Sequence, residues 1–280
     1  MQISLYTLIT RELSLEESLE QAVAAGFPAV DLRQGRDAAD TVHLSQSIND
    51  GEAEIVRGQV EAAGLHVSGL TSYYSLGKTD PALAQLHLEG LRRALQVAQL
   101  LGAKFLRCSG PLIDADSGYE KCREAFRRQV ETISASAVSH GITLTIEQHG
   151  GAYFASAGQI VDMTRGLALD HVGIVFDPGN CLAEGYERPS VQEDMLLPLI
   201  KAVHVKNMMP HPSEGSQPTI NAPATRLDEG MLDWPAIVAQ LRAGGFDGYL
   251  TLEDFYGEFG SLAEKLSWDA QYLARLAAGE

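Results

Sequence analysis

The sequence predicts a single closed (β/α)8 barrel, and three observations carry that prediction. Eight short apolar runs, several rich in β-branched residues, alternate along the chain with segments of helical period. The alternation fills 280 residues without a linker or a shift in composition, close to the ~250 such a barrel takes. The last four runs each end in an acid or an imidazole, as strands do when they open onto one shared mouth. The competing arrangement is an open doubly wound sheet. That fold brings a glycine-rich first turn for a dinucleotide, and the first turn here, Thr7–Leu13, contains no glycine.

Each element has a local reason. Met1–Leu8 reads as the first strand, and Ser14 with Glu17 forms a capping box that starts a helix ending at Gly26. Ala29–Leu32 is a short second strand, and a helix from Ser47 to Ala63 follows, stopped by Gly64. His66–Leu70 is the third strand. Asp80-Pro81 then caps a long helix whose inner stripe is Ala84, Leu88, Leu91, Leu95 and Ala98. Lys104–Arg107 is the fourth strand, and Phe126, Val130, Ile133 and Ala137 mark the next helix. The fifth strand lies in Ile142–Gly151, where alternating Ile142, Leu144 and Ile146 give way to Glu147-Gln148-His149. A short helix spans Ser156–Gly166, Val172–Phe176 is the sixth strand, Val191–Ile200 a crossover helix, and Lys201–Val205 the seventh strand. Met208–Gly230 holds four prolines and no period, the mark of a lid or functional loop. A helix begins at Asp233-Trp234-Pro235, Tyr249–Leu252 is the eighth strand, and Leu262–Leu276 closes the chain as a helix.

Bulk properties exclude several function classes. A net charge of -16, from 21 basic and 37 acidic side chains, argues against a nucleic-acid backbone or an anionic membrane as partner, since both reward a basic face. No run approaches the ~20 apolar residues of a membrane span, and no basic leader followed by an apolar stretch opens the chain, so a cytoplasmic location is expected. Cys108, Cys122 and Cys181 are too few and too scattered for a disulfide framework or a zinc knuckle; buried or half-buried thiols are expected.

The chemistry sits at four strand ends: Glu147, Asp177 after VGIVF, His204 in IKAVHV and Glu253 after YLTL. Any one alone is an ordinary polar strand end. Four on consecutive strands of one barrel converge at its C-terminal face, and two glutamates, an aspartate and an imidazole make a hard donor set suited to one divalent ion, Mn²⁺, Mg²⁺, Co²⁺ or Zn²⁺. Such an ion, holding a carbonyl oxygen and the neighbouring hydroxyl, acidifies the proton between them by stabilising the enediolate. Glu147 and Glu253, on strands separated by two others, are the groups to remove and return that proton. Return to the same carbon gives epimerisation; return to the adjacent carbon gives aldose–ketose isomerisation.

At these residues the chain resembles the xylose isomerase-like barrels, in their sugar-phosphate isomerase and epimerase branch. The resemblance covers nearly the whole chain and rests on TIEQHG, FDPGN, HVKN and LEDF. It implies that Glu147, Asp177, His204 and Glu253 hold a single divalent ion and that the substrate is a small carbohydrate, a sugar phosphate or a related polyol or keto acid. Arg226–Leu241 is similar to the family's Gly-x-Gly-x-hydrophobic-Asp segment, with Asp228 in place of the first glycine.

Further substrate contacts are expected from His149, beside Glu147; from Asn180, where related epimerases often carry His; from Lys206, on the same strand face as His204; from Arg107, at the end of the fourth strand; and from Arg226, as an anion or hydroxyl clamp from the lid. Two alternatives use the same scaffold. A dehydratase or lyase would keep the four ligands and add an acid for the leaving group, whereas a non-catalytic sugar-binding barrel would not need the ion. A metal-dependent DNA endonuclease is rejected, because the third and fourth strands end without histidine and the net charge has the wrong sign. Pairing into a homo-oligomer is compatible with the fold.

Overall fold

A computed structural model describes every residue except 38, 41, 115, 183, 186, 213–219 and 258. Eight parallel strands close into one barrel: β1 (Gln2–Tyr6), β2 (Ala29–Arg33), β3 (His66–Ser75), β4 (Phe105–Ser109), β5 (Thr143–Glu147), β6 (Val172–Phe176), β7 (Ile200–Val205) and, past four two-residue loop strands, β12 (Tyr249–Leu252), which pairs with both β7 and β1. The expected (β/α)8 architecture is present. Each strand feeds a helix because a parallel neighbour requires a crossover, and the helices cover the barrel's outer face.

Most of the helices, though not those over Gly118–His140 and Pro189–Leu196, begin where a side chain satisfies free N–H groups. α1 (Leu15–Ala25) has the Ser14/Glu17 capping box, and α3 (Pro81–Leu101) starts at Asp80 with proline in its first turn. α2 (Asp50–Ala62) starts later than the apolar pattern suggests, because Asn49 and Glu52 form a second capping box that fixes its first turn. In α3 the residues Leu88, Leu91, Leu95 and Ala98 are buried, while Ala84, a turn nearer the exposed start, is only half-buried. In α4 (Gly118–His140) the stripe Phe126, Val130, Ile133 and Ala137 is buried throughout. Each such leucine or phenylalanine contributes roughly 1.5–3 kcal/mol by leaving water. After α5 (Ala157–Thr164), a one-turn helix α6 (Pro178–Leu182) follows Asp177, too short to leave a period in the sequence. α7 (Pro189–Leu196) ends before the expected Ile200, since Pro198 cannot continue it, and Leu197–Leu199 tightens into a 3-10 turn. α8 (Trp234–Ala243) and α9 (Leu262–Ala278) complete the outer ring.

The barrel interior is layered. Phe105, Val175 and Ala202, with Tyr249, fill its lower part as an apolar plug. Gly69 on β3 makes room for it: a Cβ there would lie 2.2 Å from the Phe105 ring. At the closed end His66 meets the Tyr249 hydroxyl at 2.9 Å, a structural contact remote from the mouth. Above the plug the inward positions turn polar, with Asp31, Thr71, Thr145, His204 and Thr251 all buried.

The long loop is more regular than its prolines suggest. β8 (Asn207–Met208) pairs with β11 (Ala224–Thr225), and β9 (His211–Pro212) pairs with β10 (Ile220–Asn221), so the segment is an antiparallel ribbon; residues 213–219 of the expected lid lie outside the described residues. Asn207 pins its base. The Asn207 amide donates to the Leu227 and Leu232 carbonyls at 2.7 and 2.9 Å, and its oxygen accepts from the Leu232 N–H at 3.0 Å. All three cysteines are buried and unbridged, as expected. Among the described residues no helix is long and apolar enough to cross a membrane.

Candidate metal centre

Strand register brings the four strand-end residues together. Glu147 ends β5 opposite Val175 of β6; Asp177 follows β6 directly; His204 of β7 stands opposite Thr251; and Glu253 follows β12, its N–H bonded to the Val205 carbonyl at 2.9 Å. All four are buried, and one donor atom from each lies within 4.8 Å of the others. His204 Nδ1 sits at the focus, 3.0 Å from Glu253 Oε2, 3.2 Å from Glu147 Oε1 and 3.9 Å from Asp177 Oδ2.

Charge decides what this cluster can hold. Four buried carboxylates, those of Asp31, Glu147, Asp177 and Glu253, face two buried cations. Lys206 Nζ lies 2.6 Å from Asp177 and 2.9 Å from Glu253, and Arg107 pairs with Glu147. With His204 neutral, as metal binding requires, the cluster carries two more negative than positive charges, which is the charge of one divalent ion. Three carboxylates and an imidazole, with donor atoms all within 4.8 Å of one another, make a hard donor set for a divalent ion, so the residues fit the group.

The ionisation pattern agrees. Burial raises the carboxyl pKa of Asp177 and of Asp31 above the ordinary value, which is the response of acids lacking enough positive charge. For Glu253 burial also opposes ionisation, but Lys206 and His204 outweigh it and hold the carboxyl well below its usual range. Burial alone would depress His204; Glu253 and Asp31 reverse the effect and push it up to about 9. An imidazole must shed that proton to bind a metal through Nδ1.

The other expected site residues divide between those inside the cluster and those outside it. Arg107 and Lys206 belong to it. Arg107 also donates to the Ser72 carbonyl at 2.7 Å, which fixes its fork against Glu147. Lys206 can lie across the site because residue 179 is glycine: a Cβ there would come within 2.7 Å of the lysine chain. Asn180 directs its amide to Asp177 Oδ2 at 2.8 Å and its backbone N–H to Oδ1 at 3.1 Å, so it orients a carboxylate in the cluster. His149 is exposed and bonds the adjacent Gly150 carbonyl at 2.6 Å, with no hydrogen bond to Glu147. Arg226 stacks on Trp268, 4.6 Å from the ring centre, and pairs with Asp228 at 2.7 Å and Glu229 at 3.5 Å.

Three residues at the centre escaped the sequence reading. Asp31 on β2 accepts from Thr71 Oγ1 at 3.0 Å through one oxygen. Its other oxygen faces His204 Nε2 at 4.0 Å, and neither of those two buried atoms has a partner. A lone acid in the apolar run AVDLR was the available signal. Tyr6, at the end of β1, stacks on His204 with ring centres 5.7 Å apart and planes inclined by 19°. Its hydroxyl meets that of Tyr73 at 3.1 Å. Tyr6 also ends an apolar strand, but as a phenol it is neither an acid nor an imidazole of the kind that marks the other four strand ends. Tyr73 lies in the part of β3 that runs past the predicted Leu70 end.

The family model described as "Xylose isomerase-like TIM barrel" matches residues 19–276. No curated protein matches the sequence. Among solved structures, a xylose isomerase-like TIM barrel protein from Mycobacterium smegmatis in complex with magnesium superposes with a TM-score of 0.79 at 16% identity, covering 99% of this chain and 96% of that one. D-psicose 3-epimerase in the presence of D-fructose gives 0.74 at 15% identity, with 100% of each chain covered. The probable 3-DHS dehydratase AsbF from Bacillus anthracis, involved in petrobactin synthesis, gives 0.76 at 15% identity over 98% of this chain and 99% of that one. At these identities the likeness is one of fold.

Proposed function

The chain belongs to the xylose isomerase-like TIM barrel family, and from that premise we propose that it is a divalent-metal-dependent isomerase or epimerase of a small carbohydrate or related keto acid. The observation that carries the reading is the convergence of Glu147, Asp177, His204 and Glu253, which together with Asp31 hold two carboxylates more than Arg107 and Lys206 neutralise. Sugar epimerases among the similar folds support it. When bound, the ion supplies Lewis acidity toward a carbonyl and its neighbouring hydroxyl.

The protein's own groups handle the proton. Glu147 keeps Oε2 on Arg107 and Glu253 keeps Oε2 on Lys206, so both carboxylates are fixed in direction. Coming from β5 and β12, with β6 and β7 between them, they flank the space in front of His204. One removes the proton from the substrate carbon and the other returns it. The stacked face of Tyr6 excludes water from that side of the imidazole.

Glu147→Gln and Glu253→Gln test this division of labour, since each keeps the shape and one oxygen ligand but removes the base. Both variants are expected to fold, to retain some metal affinity and to lose most turnover on a panel of ketoses and keto acids, while the wild type incorporates solvent deuterium at the reacting carbon. Product without solvent deuterium, together with an active Glu253→Gln enzyme, would overturn the two-glutamate relay.

One observation favours a second reading. Lys206, an ammonium placed among the ligands, is a proton donor for a leaving hydroxyl, which a dehydratase requires and an epimerase does not. A described neighbour is a probable dehydratase. Loss of water would produce a conjugated carbonyl, visible as a new ultraviolet band, which isomerisation and epimerisation do not give.

A further inference from the structure

Beside the metal centre, three guanidinium groups surround one tyrosine. Arg33, Arg36 and Arg107 lie 5.4, 4.7 and 5.6 Å from the centre of the Tyr73 ring. Two of the three are committed. Arg33 forms an ion pair with Asp40 and donates to the Tyr73 hydroxyl at 3.3 Å, and Arg107 pairs with Glu147. Arg36 differs. It is exposed, its guanidinium stacks on Tyr73, and among the described residues it forms no salt bridge.

Of the three guanidinium groups around Tyr73, Asp40 offsets Arg33 and Glu147 offsets Arg107, so Arg36 is the one without a carboxylate in salt-bridge range among the described residues. Geometry links it to the reacting end: Tyr73 touches the hydroxyl of Tyr6, and Tyr6 stacks on His204. An anionic group seated at Arg36 and Tyr73 is thus one tyrosine away from His204, and Arg107, 5.6 Å from the same ring, pairs with Glu147. Burial opposes ionisation of the Tyr73 phenol, yet the hydrogen bonds with Tyr6 and Arg33 bring it below its ordinary value, consistent with positive potential at this place.

We propose that Arg36, with Tyr73, forms an anion subsite at the β2–β3 side of the mouth, and that the substrate carries a carboxylate or phosphate at the end remote from the metal. Arg36 supplies a planar, always-charged donor fork matched to either group, and Tyr73 supplies a stacking surface and a hydroxyl. The proposal rests on the metal-dependent isomerase or epimerase reading above, which it narrows to acidic sugars.

Calorimetry on the full-length protein loaded with Mn²⁺ tests it, with D-fructose, D-fructose 6-phosphate and 5-keto-D-gluconate as probes of equal carbon number. At least one of the two anions is expected to bind about tenfold or more tightly than D-fructose, an advantage that added salt reduces. Arg36→Ala should abolish the preference and leave D-fructose affinity unchanged, and the probe that loses affinity distinguishes carboxylate from phosphate. If neither anion outbinds D-fructose, or if the preference survives in Arg36→Ala, the subsite is refuted. The underlying reading fails by a separate measurement made without sugar: Mn²⁺ affinity that is absent, or unchanged in Asp177→Asn.

Discussion

Asp31→Asn is expected to change two properties in opposite directions. In the metal-free protein Asp31 is a buried carboxylate with one oxygen on Thr71 and the other unpartnered, so removing its charge should raise stability by about 1–3 kcal/mol. Burial raises its pKa above 3.8, so the carboxyl favours folding while neutral and loses that advantage as pH rises through its folded value. The gain from asparagine therefore exists at neutral pH and vanishes in acid. Metal binding should respond the other way. Asp31 Oδ2 faces His204 Nε2 across 4.0 Å, and a slight turn of either side chain would let it accept the Nε2 proton and leave Nδ1, the atom aimed at the three other ligands, free to coordinate. Losing such a partner typically weakens metal affinity 10–100-fold, or about 1.4–2.7 kcal/mol. Thermal unfolding in a chelator and competition for Mn²⁺ with a chromophoric chelator measure the two effects. Adding Thr71→Val frees the asparagine oxygen for His204 and should recover part of the affinity. Unchanged Mn²⁺ affinity in Asp31→Asn would show that His204 is oriented by something else.

Other consequences can be checked by similar means. Asp177→Asn should lower metal affinity 10-fold or more by direct titration, since it removes a charged donor and disturbs the Asn180 and Lys206 contacts. Glu193 is buried without a hydrogen bond among the described residues, and burial pushes it from 4.5 up to about 8. A raised carboxyl stabilises the fold below pH 4.5 and loses that contribution as pH climbs to about 8, so urea unfolding should show Glu193→Gln gaining roughly 2 kcal/mol or more over the wild type at pH 9 and nothing at pH 4. Gly179→Ala places a methyl within 2.7 Å of the Lys206 chain and should displace the ammonium from Asp177 and Glu253, reducing turnover more than stability; wild-type kcat in that variant would mean the lysine position is incidental. Hydrogen exchange should show the ribbon base at Asn207–Met208 and Ala224–Thr225 protected before substrate is added, with further protection of the 208–230 loop appearing only on binding.

Much of this molecule is written locally. Period and capping chemistry place α1, α3, α4 and β12 close to their observed limits, because a helix start needs only a capping side chain and a strand needs only a run of residues that fit a buried pleat. The four donors are legible for the same reason: in a parallel barrel every strand's C-terminal end faces the same mouth, so a polar strand end is already a coordinate. Where local signals competed, boundaries moved. Asn49 with Glu52 delayed α2, and Pro198 cut short the crossover helix.

What only the tertiary structure decided is which side chains are committed to which. Arg107 on Glu147, Lys206 between Asp177 and Glu253, and Asp31 across from His204 all join residues far apart in sequence, and their pairing depends on register around a closed barrel. Sequence therefore identified four strand-end residues that converge but not the balance of charge around them. It also singles out Arg226 as an anion or hydroxyl clamp and gives Arg36 no role, whereas the fold pairs Arg226 with Asp228 and leaves Arg36 stacked on Tyr73 with no salt bridge among the described residues. A charge acquires its role from the neighbours that burial forces on it, and those neighbours are fixed by barrel closure.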